Sequence, residues 1–493
     1  MKRDAIALIL ALTGLLVGCS RDRNAPSGEI AGFSDLRGRV CADLLGTAFQ
    51  EIVPAYQEGV RFQTFNDYSS AMEAVRVGKV DAMPLDTAIA RLWVSKRPED
   101  FRLALSFGRN PYAYLFPKGS ALRAGADEVL GRLEKSGEIK RLVSKWCDAD
   151  DLDAVELDPL PPPADGAGVL RFATSGDFEP GVFVRKGEFV GFDIDIARRI
   201  ASAMGRRLEV VQVNMSSLVP TVQFGKADMG GGCITVTEER AQKVDFSRVY
   251  MDEGFSIVVR NASGEAADGG FGVRTCLRSL RDSFVRTFVT ESRWQLMARG
   301  LGVTLLITLL AAFFGTILAF PVWLARTSKI ELVASCARGC IAVLQGTPVL
   351  VLLMVLFYIV FGRVDIEGVW VAVIGFSLNA SVYIGEMLRS GVDSVPRGQT
   401  EAALALGYRP TRAFCRFVLP QAVQVILPVY RGELIALLKS TSVVGYIAIN
   451  DLTKASDLIR SRTYESFFPI LTTAFIYFAV AWLLAKLLER IGK

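Results

Sequence analysis

Residues 301–325 read LGVTLLITLLAAFFGTILAFPVWLA and contain no charged side chain. A helix needs about 20 apolar residues to cross the hydrocarbon core of a bilayer, so this run is long enough to span one. Ile341 to Phe361 is a second such run, and Val369 to Gly385 is a shorter third. Phe417 to Tyr430 is weaker and extends past Arg431 and Glu433 to Leu438, and Phe467 to Ala485 is the last. Five spans are expected. Upstream of residue 295, apolar and polar residues mix as they do in α/β domains. The chain of 493 residues therefore reads as a polar α/β part followed by an all-α membrane part.

Composition agrees with that division. Hydrophobic residues make up 51% and the mean hydropathy is +0.33, high for a soluble protein and low for one wholly in the membrane. The 56 Lys and Arg against 51 Asp and Glu leave a net charge of +5, too mild a surplus to argue for nucleic acid. Histidine is absent, which excludes Ser-His-Asp and Cys-His nucleophiles and His-ligated metals. No CxxC pair occurs among the eight cysteines, which speaks against a structural zinc site. No metal and no cofactor are expected.

Lys2 and Arg3 followed by an apolar run from Ala5 to Val17 form a secretory signal. The run ends Leu16-Val17-Gly18-Cys19, which resembles a bacterial lipobox and implies lipidation of Cys19; an uncleaved signal anchor is the alternative. Either way the polar part is exported, and the first span runs inward. The loop after the third span is then cytoplasmic, and Arg389, Arg397, Arg409, Arg412 and Arg416 crowd it, as the positive-inside rule asks. Lys454, Arg460 and Arg462 fall on the outer side and are exceptions. Leu277, Leu280, Phe284 and Phe288 recur at helical spacing among arginines, as in an amphipathic helix at the membrane surface or one packed on the bundle. Segment 148–167 is acidic, then Pro-rich, then Gly-rich, and reads as a semi-stiff spacer. The expected division is signal 1–19, segments 35–147 and 168–262 about that linker, a second linker with the amphipathic helix over 263–299, and the membrane part over 300–493.

The cytoplasmic loop reads Glu401-Ala402-Ala403-Leu404-Ala405-Leu406-Gly407 and continues to Phe417-Val418-Leu419-Pro420. This resembles the EAA motif of ABC importer permeases, a short helix, ended by Gly407, that fits a groove on a partner ATPase. Gly302-Val303-Thr304, Gly346-Thr347-Pro348, Ser377-Leu378-Asn379, Pro396-Arg397-Gly398-Gln399 and Lys439-Ser440-Thr441-Ser442 appear in order. From Gly300 onward the chain resembles the polar amino acid uptake permeases, implying a five-span type I ABC permease bundle. Glu401, Ala402, Ala403 and Gly407 inherit the coupling role. Charge near a span is costly, which singles out Lys439.

The polar half resembles the matching amino acid binding proteins. Gly191-Phe192-Asp193-Ile194-Asp195, Gly225-Lys226-Ala227-Asp228, Thr235-Val236-Thr237-Glu238-Glu239-Arg240 and Val244-Asp245-Phe246-Ser247 match that family's first lobe. The resemblance implies that Arg240 forks onto the ligand α-carboxylate, a task that suits its planar guanidinium. It places Thr235 beside the same carboxylate, Gly232 and Cys233 along the site, Phe178 and Met215 as its walls, and Ser175 where relatives for cationic ligands carry aspartate. Asp35 to Cys147 resembles the other half of the family. There Gly46 and Thr47 precede a helical stretch, Ala48 to Tyr56, and Asp86 matches the acceptor of the α-ammonium. A helix cap is the plain alternative for Asp86.

In the family the Gly191 to Val259 type of sequence comes first. Here it comes second, and each segment supplies what the other lacks. The expected fold is therefore a two-lobed α/β periplasmic-binding-protein domain, circularly permuted, ahead of the bundle; two truncated domains pairing across a dimer are the rival. The implied function is the membrane subunit of an ABC importer for a polar amino acid, with its binding domain fused on and exposed outside a bacterial inner membrane. No GxxxxGK[ST] loop occurs, so ATP falls to a separate cytoplasmic ATPase. One bundle makes half a pore, so a second copy or a homologous permease is the implied partner besides lipid. An amino-acid-gated channel and an amino acid sensor are the alternatives; the first needs a filter loop and the second a cytoplasmic signalling domain.

Overall fold

The computed structural model describes residues 29–149, 151–164, 166–261, 281–362, 364, 366–463, 465 and 467–491. The expected signal with Cys19, and the segment 262–280, lie outside them. The described residues form two compact units, 29–109 with 253–261, and 110–252 with 281–491. The chain passes between them inside two strands, Phe101–Tyr112 and Met251–Arg260.

The first unit is built on a five-stranded sheet in the order Arg61–Phe65, Val40–Leu44, Ala82–Asp86, Met251–Arg260, Phe101–Tyr112. The first three strands are parallel, and Met251–Arg260 runs antiparallel to Ala82–Asp86. Parallel neighbours need a crossover, and helix Tyr68–Arg76 supplies one, its start capped by Asp67, which accepts from the Ser70 N–H at 2.8 Å. Leu36, Cys41, Ala82 and Ile257 fill the core. Burial pushes the Cys41 thiol up to about 12, so it packs as an inert apolar group.

The α/β part of the second unit has a sheet in the order Arg206–Gln212, Gly168–Thr174, Met229–Gly230, Leu115–Phe116, Asp245–Phe246. Its first three strands are parallel and Leu115–Phe116 is antiparallel to both of its neighbours. Each large sheet thus takes one strand from across segment 148–167: Leu115–Phe116 here, Met251–Arg260 in the first unit. Helix Phe192–Ala203 buries Ile194, Ile196, Ala197, Ile200 and Ala201, the face its spacing predicts. Helix Glu138–Cys147 packs on it, with Trp146 Nε1 donating to Asp195 Oδ2 at 2.9 Å.

The acidic half of the expected spacer is bonded to this lobe. Leu152 is buried, and Arg185 Nη1 donates to the carbonyls of Leu152, Asp153 and Val155. Asp158 accepts from Lys145 at 2.8 Å, from Arg199 at 2.5 Å and from Arg141. Composition marked this stretch as unable to build a core; it did not show that one carboxylate would meet three cations.

Four described helices are long and apolar enough to cross a membrane: Trp294–Arg326, Gly368–Asp393, Pro410–Ile447 and Phe468–Glu489. The second expected span is a bent pair of helices, and counted as one broken span it makes the fifth. The run Ile341 to Phe361 falls across Glu331–Gly346 and Val349–Val360, which are bent by 106° at the break. Pro348 lacks an N–H and disfavours helix at the residue before it, so the helix stops at Gly346 and restarts after Thr347-Pro348. Helices Trp294–Arg326 and Gly368–Asp393 approach closely at Gly315, where an added Cβ would lie 2.9 Å from that of Ala380.

The bundle carries the α/β lobe at one end. Ser217 donates to the Tyr446 carbonyl at 3.2 Å, and the Thr221 hydroxyl lies 3.2 Å from that of Tyr358. Lys226 Nζ donates to the carbonyls of Phe361 and Val364. At the other end Trp323 stacks on Phe414 at 5.7 Å and Arg326 pairs with Glu386. Lys454, Arg460 and Arg462, the exceptions to the charge rule, are buried at the lobe end. Phe284 and Phe288 of the expected amphipathic helix approach Phe468 edge-on; Leu277 and Leu280 lie outside the described residues.

Burial alone would raise the Asp158 carboxyl, but hydrogen bonds from Lys145, Arg141 and Arg199 outweigh it and hold the group below the usual carboxylate range. A depressed folded value means that its contribution is complete above the unfolded value, about 3.9, and is lost as pH falls through the folded one. Asp158→Asn should therefore melt earlier than wild type at pH 7 and lose less on acidification below pH ~4. Thermal scans of the full chain in detergent at stepped pH measure this, and parallel curves for the two proteins would refute it.

Candidate functional site

Ligands of open α/β sheets gather at the carboxyl ends of parallel strands, where helix N-termini and loop N–H groups are free. In the second unit, Gly168–Thr174, Arg206–Gln212 and Met229–Gly230 are parallel, so their carboxyl ends share one edge. Ser175 follows the first, Met215 the second, and Gly232 with Cys233 the third. Ser175 is buried, and its carbonyl accepts from Gln212 Nε2 at 3.1 Å. Phe178 lies in the small antiparallel sheet of Asp177–Phe178, Val182–Arg185 and Glu188–Val190. A Cβ on Gly181 would fall 2.6 Å from Cys233 Sγ and 2.9 Å from Phe178 Cδ1, so these two candidates are brought together.

The turn carrying them is held from beneath. Gly232 has φ +120, and Cys233 has φ +56, the left-handed region that a side chain rarely adopts. The Cys233 N–H donates to Asp193 Oδ2 at 2.7 Å, and the Tyr114 hydroxyl donates to Asp193 Oδ1 at 2.9 Å. Asp193 is fully buried, which raises its carboxyl, while these two donors act to lower it. Thr235 bridges to Tyr112, and its carbonyl accepts from Arg240 Nη1 at 2.7 Å. Arg240 sits on helix Glu238–Lys243, whose cap Thr237 accepts from the Arg240 N–H. The neighbouring Glu239 pairs with Lys243. Met215 begins helix Met215–Gln223 and is half-buried against Leu218 and Val222, so it contributes to the core as well as to the edge.

In the first unit Gly46 and Thr47 follow Val40–Leu44, and Asp86 ends Ala82–Asp86, the parallel neighbour. Thr47 Oγ1 donates to Asp43 Oδ1 at 2.8 Å. The helix behind it is short, Phe49–Ile52, continued by the turn Val53–Ala55, where Ala48 to Tyr56 was expected. Asp86 occupies the cap position of helix Thr87–Lys96, yet its side chain makes no capping bond, so capping does not account for it.

At the bundle end away from the lobe, Glu401, Ala402 and Ala403 lie on helix Arg397–Ala405. Gly407, with φ +83, ends it, and the Gly407 and Tyr408 N–H groups close on Leu404 and Ala403. Ala403 is buried, whereas Leu404 and Leu406 are exposed.

The probable amino-acid ABC transporter permease protein YckA of Bacillus subtilis (strain 168) is 34% identical over 37% of this chain and 81% of its own length. The chain belongs to the amino-acid ABC transporter permeases. The L-cystine transport system permease protein TcyB of the same organism is 34% identical over 40% of this chain and 85% of its own. The crystal structure of an amino acid ABC transporter with histidines is 33% identical and covers 42% of this chain and 97% of that one, with a TM-score of 0.39. The family of bacterial extracellular solute-binding proteins, family 3, matches residues 170–412. That match runs on into the membrane helices; its α/β portion is 170–260. This permease is thus the membrane subunit of an amino-acid importer with a solute-binding domain fused to it.

Sequence reasoning quoted Asp193 and Lys226 only as motif members and gave neither a role. For Asp193 the signal was a charge on the buried face of helix Phe192–Ala203, which requires a partner; Lys226 lies in the loop after helix Met215–Gln223 and carried no such signal. Replacing Asp193 by alanine leaves the Cys233 N–H buried without its acceptor and removes one from Tyr114, at about 1–3 kcal/mol for each such group. The permease's Asp193→Ala variant should melt several degrees lower, and Asp193→Asn, which keeps one acceptor oxygen, should fall between. Equal midpoints for all three would remove Asp193 from this role.

Proposed function

We propose that this permease captures a polar amino acid outside a bacterial inner membrane and passes it inward, driven by a separate cytoplasmic ATPase that docks on the Arg397–Ala405 helix. The carrying observation is that the solute-binding lobe and the EAA helix hang from opposite ends of one helical bundle. The ligand α-carboxylate goes to Arg240 and Thr235, with the N–H groups about Gly232 and Cys233. The α-ammonium goes to Asp86, with Gly46 and Thr47 beside it, and Phe178 and Met215 wall the side chain. Ser175 offers no carboxylate and Glu179 is paired with Arg462, which argues against a cationic ligand side chain; Asp177, with a buried Oδ1, is the carboxylate left to meet one. Lipidated Cys19 would tether the exported part. Two bundles, this one with its copy or a homologous permease, enclose the path.

Segments 35–147 and 168–262 form one circularly permuted domain in this reading. Support comes from the strands they exchange, since neither large sheet is complete within one segment. Residues 168–262 alone should then lack a cooperative melt, checked by circular dichroism, and a sharp ligand-responsive transition would overturn the permutation.

Arg240→Ala and Asp86→Ala should each weaken amino acid binding by about 2–5 kcal/mol while leaving the ligand-free melt in place. Thermal-shift titration of the full chain against the common amino acids measures both, and near-native affinity in either variant refutes its assignment. Gly407→Arg, at a left-handed position on the docking loop, should keep binding but abolish amino-acid-stimulated ATP hydrolysis in vesicles; retained stimulation would free this loop from coupling.

A further inference from the structure

Helix Leu452–Thr463 lies between the membrane helices and the solute-binding lobe. Leu452, Ala455 and Ile459 recur at helical spacing and pack with Met297, Ile476 and Tyr477 of two membrane helices. Asp451 caps its start, accepting from the Lys454 N–H at 2.9 Å and the Thr453 N–H at 3.1 Å. The rest of its surface carries two buried cations turned toward the lobe. Lys454 is 6% exposed, and its Nζ donates to Asn214 Oδ1 at 2.8 Å. The Arg462 side chain is 8% exposed, and it pairs with Glu179, with Asp153, and with Glu291 at 3.0 Å. Its guanidinium also lies 4.9 Å over the Phe183 ring.

The partners on the lobe are not scattered. Asn214 immediately precedes Met215, and Glu179 immediately follows Phe178, so each cation holds a segment that carries one proposed ligand wall. The two cations are eight residues apart, about 12 Å along the helix at 1.5 Å per residue. The other contacts between lobe and bundle differ in kind. Those of Ser217 and Lys226 run to backbone carbonyls of the bundle, and Ser217, Thr221 and Lys226 lie further along the chain than the walls. Ser217 and Thr221 lie on the helix that Met215 begins and seat it from further on, whereas Lys454 and Arg462 reach the residues next to the walls. Burying a charge costs several kcal/mol before its partners offset it, and an apolar side chain would fill the same space at less cost. Two such charges, each spent on a wall segment, point to a role in setting geometry.

We infer that Lys454 and Arg462 are positioning residues that fix the two walls of the amino acid site and couple its occupancy to the membrane bundle through helix Leu452–Thr463. This rests on the reading of Phe178 and Met215 as ligand walls. A ligand that shifts the Phe178 and Met215 segments must then shift or strain this helix. By thermodynamic reciprocity, whatever displaces the helix changes the affinity for the amino acid by the same factor. A purely mechanical tether would hold the lobe in place and leave affinity unchanged.

The test uses the full chain in lipid nanodiscs, titrated with L-glutamine, L-asparagine, L-serine and L-cystine, all below the melting range. The probe that wild type binds best is carried through the variants. Arg462→Gln and Lys454→Met should each weaken binding by tenfold or more, with Arg462→Lys and Lys454→Arg recovering part of the loss. In a Phe178→Ala background the Arg462→Gln step should shrink to less than threefold, because the wall it positions is gone. Should Arg462→Gln fail to fold, Glu179→Gln and Asn214→Ala remove the same two contacts from the lobe side and should weaken binding equally. Wild-type affinity in these variants, with Phe178→Ala defective, would overturn the coupling while leaving the site intact. Wild-type affinity in Phe178→Ala would overturn the wall reading and the coupling with it.

Discussion

Arg462 brings one positive charge into contact with three carboxylates, on the lobe at Glu179, in the linker at Asp153 and ahead of the first membrane helix at Glu291. Most of what is distinctive in the second unit depends on that junction. Removing the guanidinium would leave Glu179 and Asp153 without that cation and Glu291 with Arg293 alone. The junction therefore fixes three chain segments to one another that no secondary structure joins. With the bonds of Ser217, Thr221, Lys226 and Lys454 it joins the lobe to the bundle within one unit.

The membrane part was legible because lipid imposes a simple rule. Backbone groups must be satisfied within the span, so long uncharged runs declare themselves. The break in the second run was less visible. Gly346, Thr347 and Pro348 are each tolerated in membrane helices, and only their succession stops one helix and starts another. The lobe was legible for a different reason. Arg240, Thr235 and Cys233 stand in a motif whose spacing is set by a strand end and a capped helix, and local structure of that kind survives in sequence. Gly46, Thr47 and Asp86 carry weaker signals, because a turn glycine and an acidic residue before a helix have ordinary uses in any parallel sheet.

What sequence did not disclose were contacts between residues far apart in the chain. Lys454, Arg460 and Arg462 looked like violations of the charge rule. The rule describes charges that water and lipid headgroups can reach, and these three are enclosed by protein. Segment 148–158 looked like a spacer because it is acidic and leads into a proline run, although Leu152 within it is buried. Asp158 is held instead by cations from two helices, and composition carries no record of where those helices lie.

Lys226 shows how closely the lobe and the bundle are joined. The helical stretch Val349–Val360 ends with carbonyls that have no partner further along the helix, as every helix must. The Lys226 ammonium donates to two carbonyls at that end, those of Phe361 and Val364, and its charge suits the negative pole of the helix. The same Nζ stands 5.1 Å over the Phe357 ring. A side chain from the solute-binding lobe thus brings a positive charge to the C-terminal end of this helical stretch. Its own loop shares the task, since the Val364 N–H donates to the Phe361 carbonyl and the Ile366 N–H to that of Val364, each at 3.0 Å. The loop supplies the neutral donors and the lobe supplies the charge, so the helix end and the lobe share one hydrogen-bonded cluster.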